Sequence, residues 1–166
     1  IECMEKNECT FVLDSDDALF PPLVGYLQEG VTQIGISDEA ERVRIGIALE
    51  EALANALFHG NLEVDSDLRE TDTEAYHELI AQRTEQSPFR DRRIHVDVKL
   101  TRNEAIFVIR DEGPGFDPRS LPDPTDPANL EKVSGRGVLL MRSFMDEVHY
   151  NDAGNEVTMC KRRAPT

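Results

Sequence analysis

A chain of 166 residues with 18 basic and 33 acidic side chains has a net charge of -15, which argues against nucleic acid as a general partner because phosphate repulsion would have to be overcome locally. Hydrophobic residues at 39% and charged residues at 31% suit one soluble domain with a single core. No apolar run nears the roughly 20 residues of a membrane span, and residues 1–10 carry no signal-peptide pattern. Cys3, Cys9 and Cys160 are odd in number and widely spaced, so they read as reduced thiols of a cytosolic protein rather than as a disulfide framework or metal pair. The start at Ile1 rather than Met reads as that of a piece excised from a longer protein.

Residues 9–13 read as a short strand. Residues 18–34 read as a helix that tolerates Pro21 and Pro22 in its first turn, with Gly35 as a break. Ser37 and Asp38 are candidate caps for the next helix, and Glu41 adds acid to its first turn. That helix runs over residues 38–57, with Ile45, Leu49, Ala52, Leu53 and Ala56 on one apolar stripe and Glu51 and Asn55 on a second stripe along its flank. Gly60 is expected to end it. Residues 62–92 are charged and poorly hydrophobic, with a short helix over 74–83 and a break at Ser87-Pro88.

Ile94, Val96, Val98 and Leu100 alternate with His95, Asp97, Lys99 and Thr101, the pattern of a half-buried strand. After a turn at Asn103 and Glu104, residues 105–110 form a nearly continuous apolar strand expected at the sheet centre. Residues 111–134 form a long connection rich in glycine and proline, a length that is usually functional or mobile. A helix follows over 137–146 with Leu140, Met141, Phe144 and Met145 inward, then strands over 147–151 and 156–161 joined by a hairpin turn at Asp152–Asn155. The order predicts an α+β two-layer sandwich: a mixed, mostly antiparallel sheet with helices on one face.

Three constellations carry chemistry. In the first, Glu51 and Asn55 stand one helical turn apart. A carboxylate and a carboxamide on a buried flank need partners or a polar cleft. The Asn55 amide oxygen suits magnesium, and Glu51 suits proton removal from a water or hydroxyl; by itself the pair is equally a solvated helix flank. In the second, Asp111 ends an apolar strand and Gly113 and Gly115 follow. The carboxylate can accept a hydrogen bond from an exocyclic amine such as that of adenine, and the glycines admit close approach by a flat ligand; a plain turn has the same composition. In the third, Gly135, Arg136 and Gly137 open a helix after a flexible loop. Free amides at a helix start favour phosphate, and Arg136 and Lys132 add positive charge to an acidic chain. A hinge with a glycine cap is the plainer reading, and the P-loop and dinucleotide fingerprints do not fit.

Taken in order, the three closely resemble the nucleotide boxes of the histidine-kinase-like ATPase superfamily, which includes gyrase, the heat-shock ninety chaperones, sensor histidine kinases and mismatch-repair ATPases. The resemblance covers about residues 38–161. The stretch from Glu51 to Gly60, together with Gly135-Arg136-Gly137 and the Leu140-Met141-Arg142 and Met145-Asp146-Glu147-Val148 runs, looks like the anti-sigma-factor serine-protein kinase branch. This resemblance implies a Bergerat-type fold over residues 1–166, with ATP and Mg2+ as cofactors. It implies Glu51 as catalytic base, Asn55 as magnesium ligand and Asp111 as reader of adenine. Gly113 and Gly115 would shape the adenine pocket, and Gly135, Arg136 and Gly137 would border the triphosphate under a lid over residues 117–134.

The implied activity is transfer of the γ-phosphoryl of Mg-ATP to a serine of a partner antagonist protein, with a sigma factor as a second partner and a homodimer as the oligomeric expectation. Alternatives are the ATPase half of a sensor histidine kinase, or a regulatory module that binds nucleotide without catalysis. Residues 62–92 are longer than the link expected in that branch and read as a solvated insertion rather than an arm for a partner or dimer. His77 reads as a surface residue, His59 as a buttress, His95 and His149 as exposed strand residues, and the Arg92-Arg93 and Arg162-Arg163 pairs as strand-edge charges.

Overall fold

The structure, a computed structural model, describes residues 3–121, 126 and 136–165. Five strands, β1 (Lys6–Asp14), β2 (Arg93–Thr101), β3 (Glu104–Asp111), β4 (Glu147–Tyr150) and β5 (Glu156–Arg162), form one sheet in the order β1-β2-β3-β5-β4. All of its pairings are antiparallel, so among the described residues the sheet has no parallel component. β1 is longer than the sequence pattern indicated, because its register against β2 runs from Lys6 opposite Thr101 to Asp14 opposite Arg93.

Alternation decides which face is covered. Ile94, Val96, Val98 and Leu100 of β2, Phe107 and Ile109 of β3, and Val157 and Met159 of β5 all point into one core. β3 is central, as its apolar run suggests, yet only every second residue is buried. A run buried on both faces needs a covering layer on each, and here Ile106 and Val108 lie half-buried on the other face.

Helices α1 (Phe20–Gln33), α2 (Glu39–Ala54) and α5 (Arg136–Phe144) supply the covering layer. Pro21 and Pro22 occupy the first turn of α1, where a missing amide hydrogen costs nothing. Its Leu23, Val24, Leu27 and Val31 face the core. Asp38 caps α2 by accepting from the Glu41 amide at 2.8 Å, and Ile45, Leu49, Ala52 and Leu53 follow on the buried stripe. Met141 and Met145 of the last helical region are buried, while Leu140 and Phe144 are only half so.

The segment between the Asn55 region and β2 folds as α3 (Ser66–Thr71) and α4 (Thr73–Thr84). Asp65 and Asp72 cap them through bonds of 2.9 and 3.0 Å to the Asp67 and Ala75 amides. Most of this segment is exposed, but Tyr76 is buried in the main core. Among the described residues, no helix is long and apolar enough to cross a membrane.

Candidate functional site

The helix carrying Glu51 and Asn55 does not stop at Gly60. From Asn55 to Asn61 it continues as a wider π-helical turn, with the Leu62 amide bonded to the Leu57 carbonyl at 2.9 Å. Such turns occur frequently at functional sites. Glycine at position 60 answers a packing demand instead: a Cβ there would lie 2.3 Å from Asp111 Cγ. The end of the helix and the end of β3 are thereby pressed together, which brings Asn55 and Asp111 to one cleft of about 480 Å³. That volume is ordinary for a small-molecule site.

Asn55, Asp111, Gly115 and Gly137 all line this cleft. Glu51 lies one turn back along α2, against Gly137: a Cβ on that glycine would sit 2.6 Å from Glu51 Oε2 and 3.4 Å from Asn55 Nδ2. The opening of α5 therefore rests directly on the Glu51–Asn55 flank, and a side chain there would have to displace the Glu51 carboxylate. Arg136 is exposed at the helix start and is not part of the cleft lining. Gly135, Ser134, Lys132 and most of the expected lid lie outside the described residues; of that lid, Asp117 caps a short 3₁₀ turn over Pro118–Ser120.

Asp111 is 7% exposed. Burial pushes its carboxyl up to about 6, opposed by the Gly113 amide and by the charge of Arg92. The Gly113 amide donates to Oδ1 at 2.8 Å. Gly113 owes its small size to protein backbone, since a Cβ would meet the Gly60 carbonyl oxygen at 2.2 Å. Gly115 has φ +76 and would bring a Cβ within 1.9 Å of the Ala153 carbonyl oxygen in the β4–β5 turn. These glycines shape the cleft by letting three backbone segments meet behind it.

Asn61, which follows Gly60 directly and has no role in the sequence reading, is fully buried. Its amide donates to Ser15 Oγ and to the Arg93 carbonyl, both at 3.0 Å, and its oxygen accepts from the Glu112 amide at 2.8 Å. It ties the helix end to β2 and to the turn after Asp111. A polar residue directly after a His-Gly pair is its only sequence signal. His59 is a buttress as expected, with Nδ1 2.6 Å from the Val64 carbonyl oxygen. His95, by contrast, is half-buried and lies 3.0 Å from a Glu112 carboxylate oxygen, because the β2–β3 register brings the two together. His77 and His149 are exposed.

Glu51 is half-buried, and desolvation holds its carboxyl above the ordinary range against the charge of Arg69. Among the described residues neither the Glu51 carboxylate nor the Asn55 side-chain amide has a hydrogen-bond partner. An unpaired amide oxygen lining a cleft, with a carboxylate one turn away, fits a hard cation that retains its waters.

The Asp111 carboxyl makes a testable contribution to stability. Its ordinary value is 3.8 and its folded value about 6, so between these limits the folded chain holds the proton more tightly than the unfolded chain. Stability from this group is present below the window and is lost as pH rises through it. Relative to Asp111→Asn, the unaltered protein should lose on the order of 2–3 kcal/mol between pH 4 and 7, read from denaturant titrations of both across that range.

Comparison with known proteins gives the family. The family described as the histidine kinase-like ATPase domain matches residues 14–161. The chain is 33% identical over 76 residues to the serine/threonine-protein kinase BtrW of Bordetella bronchiseptica, a match spanning 43% of this chain and 54% of that protein. It also shares its fold with the structure of the RsbU and RsbW domains of Rv1364c from Mycobacterium tuberculosis, at a TM-score of 0.53 and 13% identity, over 96% of this chain and 34% of that one. With a family match that takes in α1, the Glu51–Asn55 helix, the Asp111 turn and all but the end of β5, the chain belongs to the histidine kinase-like ATPase domain family.

Proposed function

We propose that this domain is an ATP-dependent serine/threonine-protein kinase of the anti-sigma type, which moves the γ-phosphoryl of ATP to a serine hydroxyl on a small antagonist protein. One observation carries the proposal: a half-buried Glu51, its carboxylate making no hydrogen bond to a described residue, sits one helical turn from Asn55 and against the glycine that opens α5. A nucleotide-binding module needs no base at that point, whereas hydroxyl phosphorylation does. The name of BtrW supports the same reading.

In this mechanism Asp111 accepts a hydrogen bond from the exocyclic amine of adenine, and the α5 amides face the phosphates. Asn55 would hold magnesium, which supplies charge neutralisation at the phosphates when bound. The serine oxygen forms its bond to the γ-phosphorus as the bond to the bridging oxygen of ADP breaks, and the serine proton passes to the Glu51 carboxylate. Desolvation makes that carboxylate a stronger base than an exposed glutamate.

Replacing Asn55 by alanine should abolish magnesium-dependent ATP binding, measured by calorimetric titration with and without the metal. Unchanged binding would sink the assignment. Incubating the unaltered protein with labelled ATP and candidate antagonist proteins tests the transfer itself; tight nucleotide binding with no labelled product favours the regulatory module.

A further inference from the structure

The wall of the cleft beyond the π-helical turn is built by residues 63–66, and its backbone is held in an uncommon shape. Glu63 has φ +52, the left-handed region that a residue with a Cβ rarely enters. Such a conformation persists only where its surroundings over-determine it. The surroundings here come from the segment between α3 and β2. Arg83, on α4, donates from Nη1 to the Leu62 carbonyl at 2.8 Å and also to the Glu63 carbonyl. Arg92 donates from Nη1 to the Asn61 carbonyl and to the Glu63 carboxylate, each at 2.8 Å. Both guanidinium groups lie over the Phe89 ring, 4.9 and 5.3 Å from its centroid, which fixes one against the other. Three consecutive carbonyls are thus turned outward onto two cations.

We infer that residues 66–92 act as a brace for the nucleotide cleft, in which Arg83 and Arg92 are positioning residues that hold the wall at Glu63–Ser66 in its binding shape. The inference rests on reading the cleft as the nucleotide site. It gives the extra length between the first two constellations a task that a solvated insertion lacks. Arg92 also belongs to the charges acting on Asp111, so the brace reaches the adenine-reading carboxylate electrostatically as well as through the backbone. Neither arginine touches a reacting atom. Their loss should therefore weaken ATP binding without slowing the chemical step once the site is filled.

The test compares Arg83→Ala, Arg83→Lys and the double variant Arg83→Ala with Glu63→Gly, using calorimetric titration with Mg-ATP and steady-state phosphate transfer, with thermal unfolding to verify that each is folded. Arg83→Ala removes two charge-assisted bonds, so the Kd and KM for ATP should rise by about 10-fold or more, with kcat within about 2-fold. A lysine can still donate to both carbonyls, so Arg83→Lys should recover most of the affinity. Glycine enters φ +52 freely, so Glu63→Gly should recover part of the affinity in the Arg83→Ala background, the rest being lost with the Arg92 bond to the Glu63 carboxylate. If Arg83→Ala binds ATP like the unaltered protein, or if its loss is restored by neither lysine nor glycine, the brace is overturned while the site reading stands. If the unaltered protein binds no ATP, the site reading falls and the brace with it.

Discussion

Glu51→Gln should reduce phosphate transfer by roughly 10²–10⁴-fold while leaving ATP affinity within about 3-fold, since a positioned general base contributes about that much. The substitution keeps the shape of a side chain that packs against Gly137 and removes only its basicity. The group is half-buried and its carboxyl sits above the ordinary range, with desolvation the main cause. The acid limb of the pH–rate profile should accordingly lie above the usual 4.5 of a glutamate and should vanish in the variant. Transfer at an undiminished rate would remove Glu51 from the mechanism. Loss of ATP binding together with transfer would make it a structural residue.

Gly113→Ala is the second large effect expected. The new methyl would meet the Gly60 carbonyl oxygen at 2.2 Å and its carbon at 2.6 Å. Gly60 cannot retreat, because its own Cα already packs on the Asp111 carboxyl group, where a Cβ would lie 2.3 Å from Cγ. Overpacking of this kind costs about 2–3 kcal/mol. Relief by shifting the turn would break the bond from the Gly113 amide to Asp111 Oδ1, a charge-assisted bond whose loss should weaken nucleotide binding by roughly 10–100-fold. Gly25→Ala is the matched control. It lies in α1 with nothing within 4 Å of the added methyl, and there alanine should stabilise by about 0.5–1 kcal/mol. Denaturant midpoints for the two variants should move in opposite directions, and equal shifts would refute the packing account.

The sequence by itself determined the class of the fold and named Asn55, Asp111, Gly115 and Gly137, which the structure brings to one cleft. Alternation in residues 94–100 placed β2 half-buried, because side chains of a strand point to opposite faces. The stripe from Ile45 to Ala56 placed the helix face, and the one-turn spacing then put Glu51 and Asn55 on the adjoining flank. The order of that flank, the Asp111 turn and the Gly137 helix start identified the family before any distance was known.

Tertiary structure alone decided what the glycines are for. Gly60 looked like a helix terminator and Gly113 like a place for a ligand, because a glycine in a sequence carries no record of what lies against its missing Cβ. Gly60 in fact leaves room for the Asp111 carboxyl group and Gly113 for the Gly60 carbonyl, and the π-helical turn runs on through Gly60 where the sequence indicated an end. Burial on a second face is equally invisible locally, which is why the apolar run of β3 overstated its enclosure. Arg83 and Arg92 were unreadable for the same reason. Each looked like one more charge in a polar stretch, and their partners at Asn61, Leu62 and Glu63 lie 20 to 31 positions away.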